Sequence, residues 1–325
     1  MTILITGAAG FIGYNISKFL LDNNYKVIGV DNINDYYPKK FKLARLKILN
    51  KYKKFFFYKF DISDKKKLDT LLNLKIDVII HLAAQVGVRN SSKLKDKYIK
   101  SNIIGFDNIL SFSSIKKIKR IIYASSSSVY GNDKDTPTKE IDYKKKPVSF
   151  YGLTKSINEL QAENFFQNNQ RSDIFGIRFF TVYGEFPRPD MAIFKLFYSI
   201  YKNKPFPLFN YGKNKRDFTH VNNIQKCILS LIKYKSKKTV HEIFNLGSTK
   251  NILINDLIKL IELTTKKKIR VVQMGFNKED VKETLADNSK IHKYLNTSET
   301  IKIEEGIDIL NKWFSSNLNY LNLDD

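Results

Sequence analysis

Thr2-Ile3-Leu4-Ile5-Thr6-Gly7-Ala8-Ala9-Gly10-Phe11-Ile12-Gly13, residues 2–13, is the stretch from which the rest of the chain can be read. Its apolar run is short and unbroken, as a buried strand requires, and Tyr14 to Leu21 carries the spacing of an amphipathic helix. A strand, a glycine-rich turn and a helix, in that order, form a dinucleotide site. Gly7 permits the tight turn, Gly10 lets the backbone approach a pyrophosphate, and Gly13 lets helix and strand pack closely. Phe11, Ile12 and Gly13 end the turn at the N-terminus of that helix, whose unpaired N–H groups and partial positive charge face the phosphates. A second strand, Lys26 to Val30, ends in Asp31, eighteen residues after Gly13. A carboxylate there, with Asn32 beside it, accepts the adenosine ribose hydroxyls and repels a 2′-phosphate, so the expected cofactor is NAD rather than NADP.

The alternation continues outward. Phe55 to Phe60 reads as a strand ending at Asp61-Ile62, Lys65 to Leu74 as a charged helix, and Asp77 to Leu82 as an apolar strand followed by Ala83-Ala84-Gln85. Asp96 to Phe112 is a helix containing Asn102, and Arg120 to Ala124 is the strand that delivers Ser125 to Ser128. Strands without polar alternation, each followed by a helix, imply a parallel sheet covered on both faces. The expected fold is therefore α/β: a Rossmann-type doubly wound parallel sheet, with a smaller C-terminal α/β substrate-binding domain. The division expected is 1–180 for the nucleotide domain, with part of 217–250 returning to it, and 181–325 mainly for the substrate. Residues at the carboxyl ends of such strands line the ligand crevice, which places Gly7, Asp31, Asp61, Leu82, Ala83, Ala84 and the serine run along one edge.

Composition narrows the function. The 325 residues are 42% apolar and 13% aromatic, enough for a packed core rather than a disordered chain. Cys227 is the only cysteine, so neither an internal disulfide nor a cysteine zinc cluster is possible, and the four histidines stand at no metal-ligand spacing. No metal is expected. The net charge of +24 invites a nucleic-acid reading. However, the lysines are spread over Lys39–Lys67, Lys93–Lys119, Lys144–Lys146, Lys202–Lys215 and Lys233–Lys268, without one aromatic-interleaved patch. The expectation is a solvated basic surface that attracts an anionic substrate, with no nucleic-acid partner. No apolar run reaches the roughly 18 residues that span a bilayer, and no basic-plus-apolar leader precedes the first strand, so a cytoplasmic protein without a membrane partner is expected.

Tyr151 and Lys155 are four residues apart and share one face of a helix. A lysine cation beside a phenol favours the phenolate, and a serine hydroxyl from the earlier run can bond the same substrate oxygen. That assembly transfers a proton in an alcohol–ketone interconversion.

The Gly-x-x-Gly-x-x-Gly loop, the serine run before Val129-Tyr130-Gly131, and Tyr151-x-x-x-Lys155 together resemble the extended short-chain dehydrogenase/reductase superfamily, in its sugar-nucleotide epimerase/dehydratase branch. The resemblance implies Tyr151 as general base, Lys155 on the nicotinamide ribose, and Ser126, twenty-five residues before Tyr151, as the assisting hydroxyl. It also implies Asp61, Ile62 and Asn102 around the adenine and nicotinamide halves. Dehydratases and decarboxylases of this branch carry a carboxylate in or just after the hydroxyl position, whereas this chain has Ser126-Ser127-Ser128. The parts present suffice for oxidation at one carbinol, and epimerisation through a 4-keto sugar needs no further catalyst.

His81 to Arg89, Asp35-Tyr36-Tyr37, Ile177 to Gly184, Arg188-Pro189-Asp190-Met191-Ala192 and Lys215 to His220 look like the UDP-glucuronate 4-epimerases of capsule and cell-envelope synthesis. Galactose 4-epimerases usually carry Asn-Pro at Thr181-Val182. A 4-keto uronate is a β-keto acid prone to lose carbon dioxide, so its carboxylate calls for fixed hydrogen bonds and positive charge. Ser127, Ser128, Thr181 and Arg188 are the candidates. The resemblance further implies Val88, Arg89 and Met191 beside the substrate, Arg216 on the diphosphate, and Asp280 through Asp287 closing over the uridine. Two departures stand out: Pro187 replaces a common glycine, and Asn222-Asn223 replaces an acidic pair. A homodimer formed through the Tyr151 helix and the helix before it, with Ile157, Leu160 and Phe165 contributing, is expected by analogy. Other UDP-hexoses or UDP-N-acetylhexosamine acids stay open as substrates, as does a non-catalytic NAD-binding protein.

Overall fold

The computed structural model describes residues 1–89, 91–132, 136–142, 147–276, 281–296 and 300–322. Lys144–Lys146 and Asp280 lie outside the described residues. Chain order begins β1 (Thr2–Thr6), α1 (Phe11–Asp22), β2 (Lys26–Asp31), α2 (Lys39–Leu49), β3 (Phe55–Lys59), α3 (Lys65–Asp69) and β4 (Val78–His81). It continues with α4 (Lys95–Tyr98), a π-helical turn (Ile99–Ile104), α5 (Gly105–Ile115), β5 (Arg120–Ser126), α6 (Phe150–Asn168) and β6 (Asp173–Phe179). Then come β7 (Thr181–Tyr183), α7 (Ala192–Lys202), β8 (Phe206–Leu208), β9 (Lys215–His220), α8 (Val221–Lys233) and β10 (His241–Leu246). The last elements are β11 (Asn251–Leu253), α9 (Ile254–Thr265), β12 (Val271–Gln273), α10 (Ser289–Leu295), α11 (Ile303–Ser316) and α12 (Leu318–Leu321).

The central sheet has seven parallel strands in the order β10-β6-β5-β4-β1-β2-β3. Alternate residues of each strand feed opposite faces, as a two-residue period demands. Ile3 and Ile5 join the layer against α1 and α8, while Leu4 joins the layer with Phe106, Ile109 and Leu110 of α5. The strand order reverses between β1 and β4, and ligands bind beyond the carboxyl ends at such a point.

A second core gathers Phe194 and Phe197 of α7, Leu257 and Ile261 of α9, and Ile307, Leu310 and Phe314 of α11. A three-stranded sheet, β11-β9-β7, and the β12-β8 pair accompany it. The C-terminal docking helix anticipated from Ile307, Leu310 and Phe314 is α11, and all three are wholly buried, each contributing about 1.5–3 kcal/mol.

Local structure departs from the sequence reading in three places. The charged helix stops at Asp69, because Thr70 Oγ1 donates to Lys67 O at 2.7 Å and the next N–H groups bond three residues back. The helix expected over Asp96 to Phe112 is widened into a π turn at Ile99–Ile104, the segment that carries Asn102. The stretch Lys39–Leu49, read only as a lysine-rich segment, is helix α2 and buries Phe41, Lys42, Arg45, Leu46 and Leu49. Among the described residues no helix is long and apolar enough to cross a membrane.

Candidate active site

A cleft of about 730 Å³ opens at the carboxyl ends of the strands and runs from the glycine loop to β8 and α7. At one end, α1 follows Gly10 with no side chain capping it, so the N–H groups of its first turn open on the cleft. A Cβ on Gly13 would stand 2.0 Å from Gly7 O, so only glycine lets the helix start this close to the strand. Asp31 is held in place by its own neighbours: Ala9 N donates to Oδ2 at 3.1 Å, Ile33 N to Oδ1 at 2.8 Å, and Lys42 Nζ lies 3.6 Å from Oδ1. Asn32 Nδ2 and both Ser63 donors bond the Asp61 carboxylate. Burial pushes the Asp61 pKa up, but those bonds and Lys100 outweigh it, leaving a carboxylate below the usual range. Uncapped helix N–H groups, glycine-only packing and a fixed carboxylate at the end of β2 fit the two halves of a dinucleotide.

Elsewhere on the cleft wall, β5 and α6 converge. Gly152 makes that possible, since a Cβ there would lie 2.5 Å from Ser128 O. Ser126 Oγ accepts from Ser128 N and stands 3.1 Å from Ser128 Oγ. Lys155 Nζ donates to Ala124 O at 2.8 Å. Burial pushes its pKa down to about 8, against the pull of Glu159. Tyr151 corrects an expectation. Burial dominates and raises its pKa above the ordinary 10, with the Ser126 hydrogen bond and then the Arg188 charge acting in the opposite sense; Lys155 is not among the causes. His81, buried near Lys155 with Nδ1 2.9 Å from Thr6 Oγ1, is pushed down to about 3 by burial first and Lys155 second. It is therefore a neutral structural group at physiological pH.

Behind the serine run is a polar core that sequence reasoning missed. Ser125 Oγ donates to Glu159 Oε1 at 2.6 Å, and Arg178 bonds both Glu159 oxygens at 2.8 Å from Nε and NH2. Arg178 NH1 donates onward to Tyr130 OH, which donates to Asn245 Oδ1. The network ties α6, β5, β6 and β10 into one unit beneath Tyr151 and Lys155.

Gly7, Gly10, Phe11, Ile12, Gly13, Asp31, Asn32, Asp61, Ile62, Leu82, Ala83 and Ala84 all line the cleft. So do Val88, Arg89, Ser126, Ser127, Ser128, Tyr151, Lys155, Thr181, Arg188, Met191 and Arg216. Asn102 and Asp287 do not. Asn102 is buried behind the wall, where Oδ1 accepts from Gln85 N and Nδ2 donates to Gln85 O and Thr154 Oγ1. It holds the Leu82–Arg89 segment against α6. Asp287 accepts from Ser289 N at 2.8 Å at the start of α10.

Arg188 meets the cleft as a two-pronged partner of Asp190, with Nε to Oδ1 at 2.9 Å and NH2 to Oδ2 at 2.5 Å, and sits over the Tyr36 ring. Arg89 stacks on Phe209, 4.5 Å from the ring centroid. Lys42, Lys195 and Phe209 also line the cleft and were not anticipated. Two of these are lysines in a lysine-rich chain, where local sequence offers no contrast.

A sequence model of the NAD dependent epimerase/dehydratase family matches residues 3–247. The chain is 39% identical over 318 residues to a UDP-glucuronate 4-epimerase of Thermodesulfobacterium geofontis, covering 97% of this chain and 96% of that protein. It is 36% identical to Protein CapI of Staphylococcus aureus, covering 97% and 98% of the two chains. A crystal structure of the UDP-glucuronic acid 4-epimerase of Bacillus cereus, in complex with UDP-glucuronic acid and NAD, superposes with a TM-score of 0.89 at 32% identity, covering 97% of this chain and 99% of that one. The match in sequence and in fold extends over nearly the whole chain, and the protein belongs to the NAD-dependent epimerase/dehydratase family.

Proposed function

We propose that the protein interconverts UDP-glucuronate and UDP-galacturonate by inverting C4 of the sugar. Its family is NAD-dependent, and NAD when bound supplies the hydride acceptor and donor for the sugar carbinol. The observation that carries the substrate choice is the shared cleft. Ser127, Ser128, Thr181 and Arg188 line the same cavity as Ser126, Tyr151 and Lys155. A uronate placed there has hydrogen-bond donors and a guanidinium for its carboxylate beside a hydroxyl pair for its 4-oxygen. Tyr151 takes the 4-hydroxyl proton, Ser126 bonds the same oxygen, and the 4-keto sugar presents its other face before Tyr151 returns the proton. A clamped carboxylate is retained, so no pentose forms.

One observation favours a second reading, a neutral UDP-hexose. The Arg188 fork is already matched by Asp190, which lessens its call on a substrate carboxylate. Purified protein incubated with UDP-glucuronate and no added NAD, followed by the anomeric proton in NMR, separates the two. A mixture with UDP-galacturonate supports the uronate reading. A UDP-pentose product or conversion only of a neutral UDP-hexose rejects it.

We further assign residues 1–180, with part of 217–250, to nucleotide binding and 181–325 mainly to the sugar, and place the reaction in the cytoplasm, supplying capsule or cell-envelope polysaccharide. A homodimer through α6 and the preceding helix is supported by exposed Leu153 and Leu160 on α6 and by exposed Ile99 and Ile104. Phe165 packs instead against its own chain's core.

A further inference from the structure

Arg45, on α2, is wholly buried, and the structure gives its guanidinium five hydrogen bonds. NH1 donates to Ala9 O at 3.1 Å and Tyr37 OH at 2.7 Å, NH2 to Pro187 O at 2.9 Å and Tyr320 OH at 2.8 Å, and Nε to Phe186 O at 3.2 Å. None of these partners is a carboxylate. A buried charge held by neutral acceptors alone is an expensive way to fill a core, and an apolar side chain of similar volume would pack there at lower cost. The acceptors point to what the guanidinium does. One is the carbonyl of the glycine loop, and two are the consecutive carbonyls that precede Arg188.

The rest of that loop is tied down in the same manner. Asn15 Nδ2 donates to Glu185 O at 3.0 Å, and Tyr320 OH, on α12, donates to Pro187 O at 2.9 Å. Phe186 has a φ of +53°, a left-handed backbone that a phenylalanine rarely adopts. Its ring is wedged against Tyr14, Trp313 and Tyr320 at centroid distances of 4.7, 4.8 and 5.5 Å. Carbonyls 185, 186 and 187 are thus each held by hydrogen bonds, and Arg188 is the next residue after Val182 to line the cleft.

We propose that Arg45 is a positioning residue: with Tyr320 it fixes the Phe186–Pro187 backbone so that the Arg188 fork faces the substrate carboxylate. The inference rests on the uronate reading given above. It makes carboxylate recognition depend on a C-terminal helix that itself lies outside the cleft. The planar fork is essential, because five acceptors in divergent directions outnumber the three N–H donors of a lysine ammonium.

The test is the affinity for UDP-glucuronate and UDP-glucose, measured by calorimetry on the NAD-containing protein. Arg45→Lys and Tyr320→Phe are each made alone and combined with Arg188→Ala. Arg45→Lys is expected to weaken UDP-glucuronate about tenfold or more, and Tyr320→Phe about fivefold, with UDP-glucose changed less than about twofold. In the Arg188→Ala background both effects are expected to vanish, since they act through that side chain. Equal losses on the two sugars, or undiminished losses without Arg188, overturn the proposal in favour of a general packing role. No loss in either variant overturns it as well. Should Arg45→Lys fail to fold, Tyr320→Phe keeps the ring in place and decides alone. Failure of the uronate reading itself appears elsewhere, as wild-type protein and Arg188→Ala that do not distinguish the two sugars.

Discussion

Arg188 and Asp190 form a two-pronged ion pair at 2.9 and 2.5 Å on the wall of the cleft, with side chains 20% and 33% exposed. This is the geometry in which a guanidinium grips any carboxylate, so a uronate competes with Asp190 for the same fork. Arg188→Ala is therefore expected to lower kcat/KM for UDP-glucuronate by about 10- to 100-fold, while conversion of UDP-glucose changes little. Initial rates on the two sugars measure this, and parallel losses would remove Arg188 from the carboxylate clamp.

Tyr151→Phe removes the phenol proposed above as the base, which shares a hydrogen bond with Ser126. The expected loss is about 10²- to 10⁴-fold in kcat. NAD content, read by absorbance after denaturation, should match wild type because the ring and the glycine loop are untouched. Activity close to wild type would show that another group is the base.

Burial holds the Tyr151 pKa above 10, while Ser126 and Arg188 act to lower it. The phenolate fraction, and with it kcat/KM, should rise with pH through the neutral range. Ser126→Ala deletes a bond that lowers this pKa, so its ascending limb should move to higher pH. A pH–rate profile with the limb unmoved contradicts the assignment of Ser126 to that phenol.

Lys155 has a folded pKa of about 8, pushed down from 10.5 by burial against the pull of Glu159. Between those two values the unfolded chain binds more protons than the folded one, so this residue makes stability rise with pH from about 8 to 10.5. At pH 7 the buried charge costs on the order of 3 kcal/mol. Lys155→Met should accordingly be more resistant to urea than wild type near pH 7, with the gap narrowing towards pH 10. A gap that stays constant over that window rules the shift out.

Glu159 and Arg178 are both buried, at 5% and 3% side-chain exposure. Glu159→Ala removes the two-pronged carboxylate partner of the buried Arg178 charge and should destabilise the protein by about 3–5 kcal/mol. Urea unfolding measures it, and a loss under about 1 kcal/mol would mean that Arg178 finds another partner.

The sequence by itself determined the nucleotide fold and the family, and nominated the reacting groups. Apolar strands with glycine turns report on their own neighbours within a dozen residues, and Tyr151 and Lys155 share a helix face through local geometry alone. The same locality explains where reading along the chain stopped. Asn102 was placed beside the cofactor, but the π turn directs it at Gln85 and Thr154, groups brought to it by two other elements. The raised pKa of Tyr151 reflects burial by the assembled cleft, which spacing to Lys155 does not encode. Arg45 looked like one basic residue among many, and Pro187 like a local departure. Only the tertiary structure brings Arg45, Pro187 and Tyr320 together, across 275 positions of chain between Arg45 and Tyr320. Hydrogen bonds to a buried guanidinium depend on which distant carbonyls the packing of two cores presents to it, and that is a property of the folded chain.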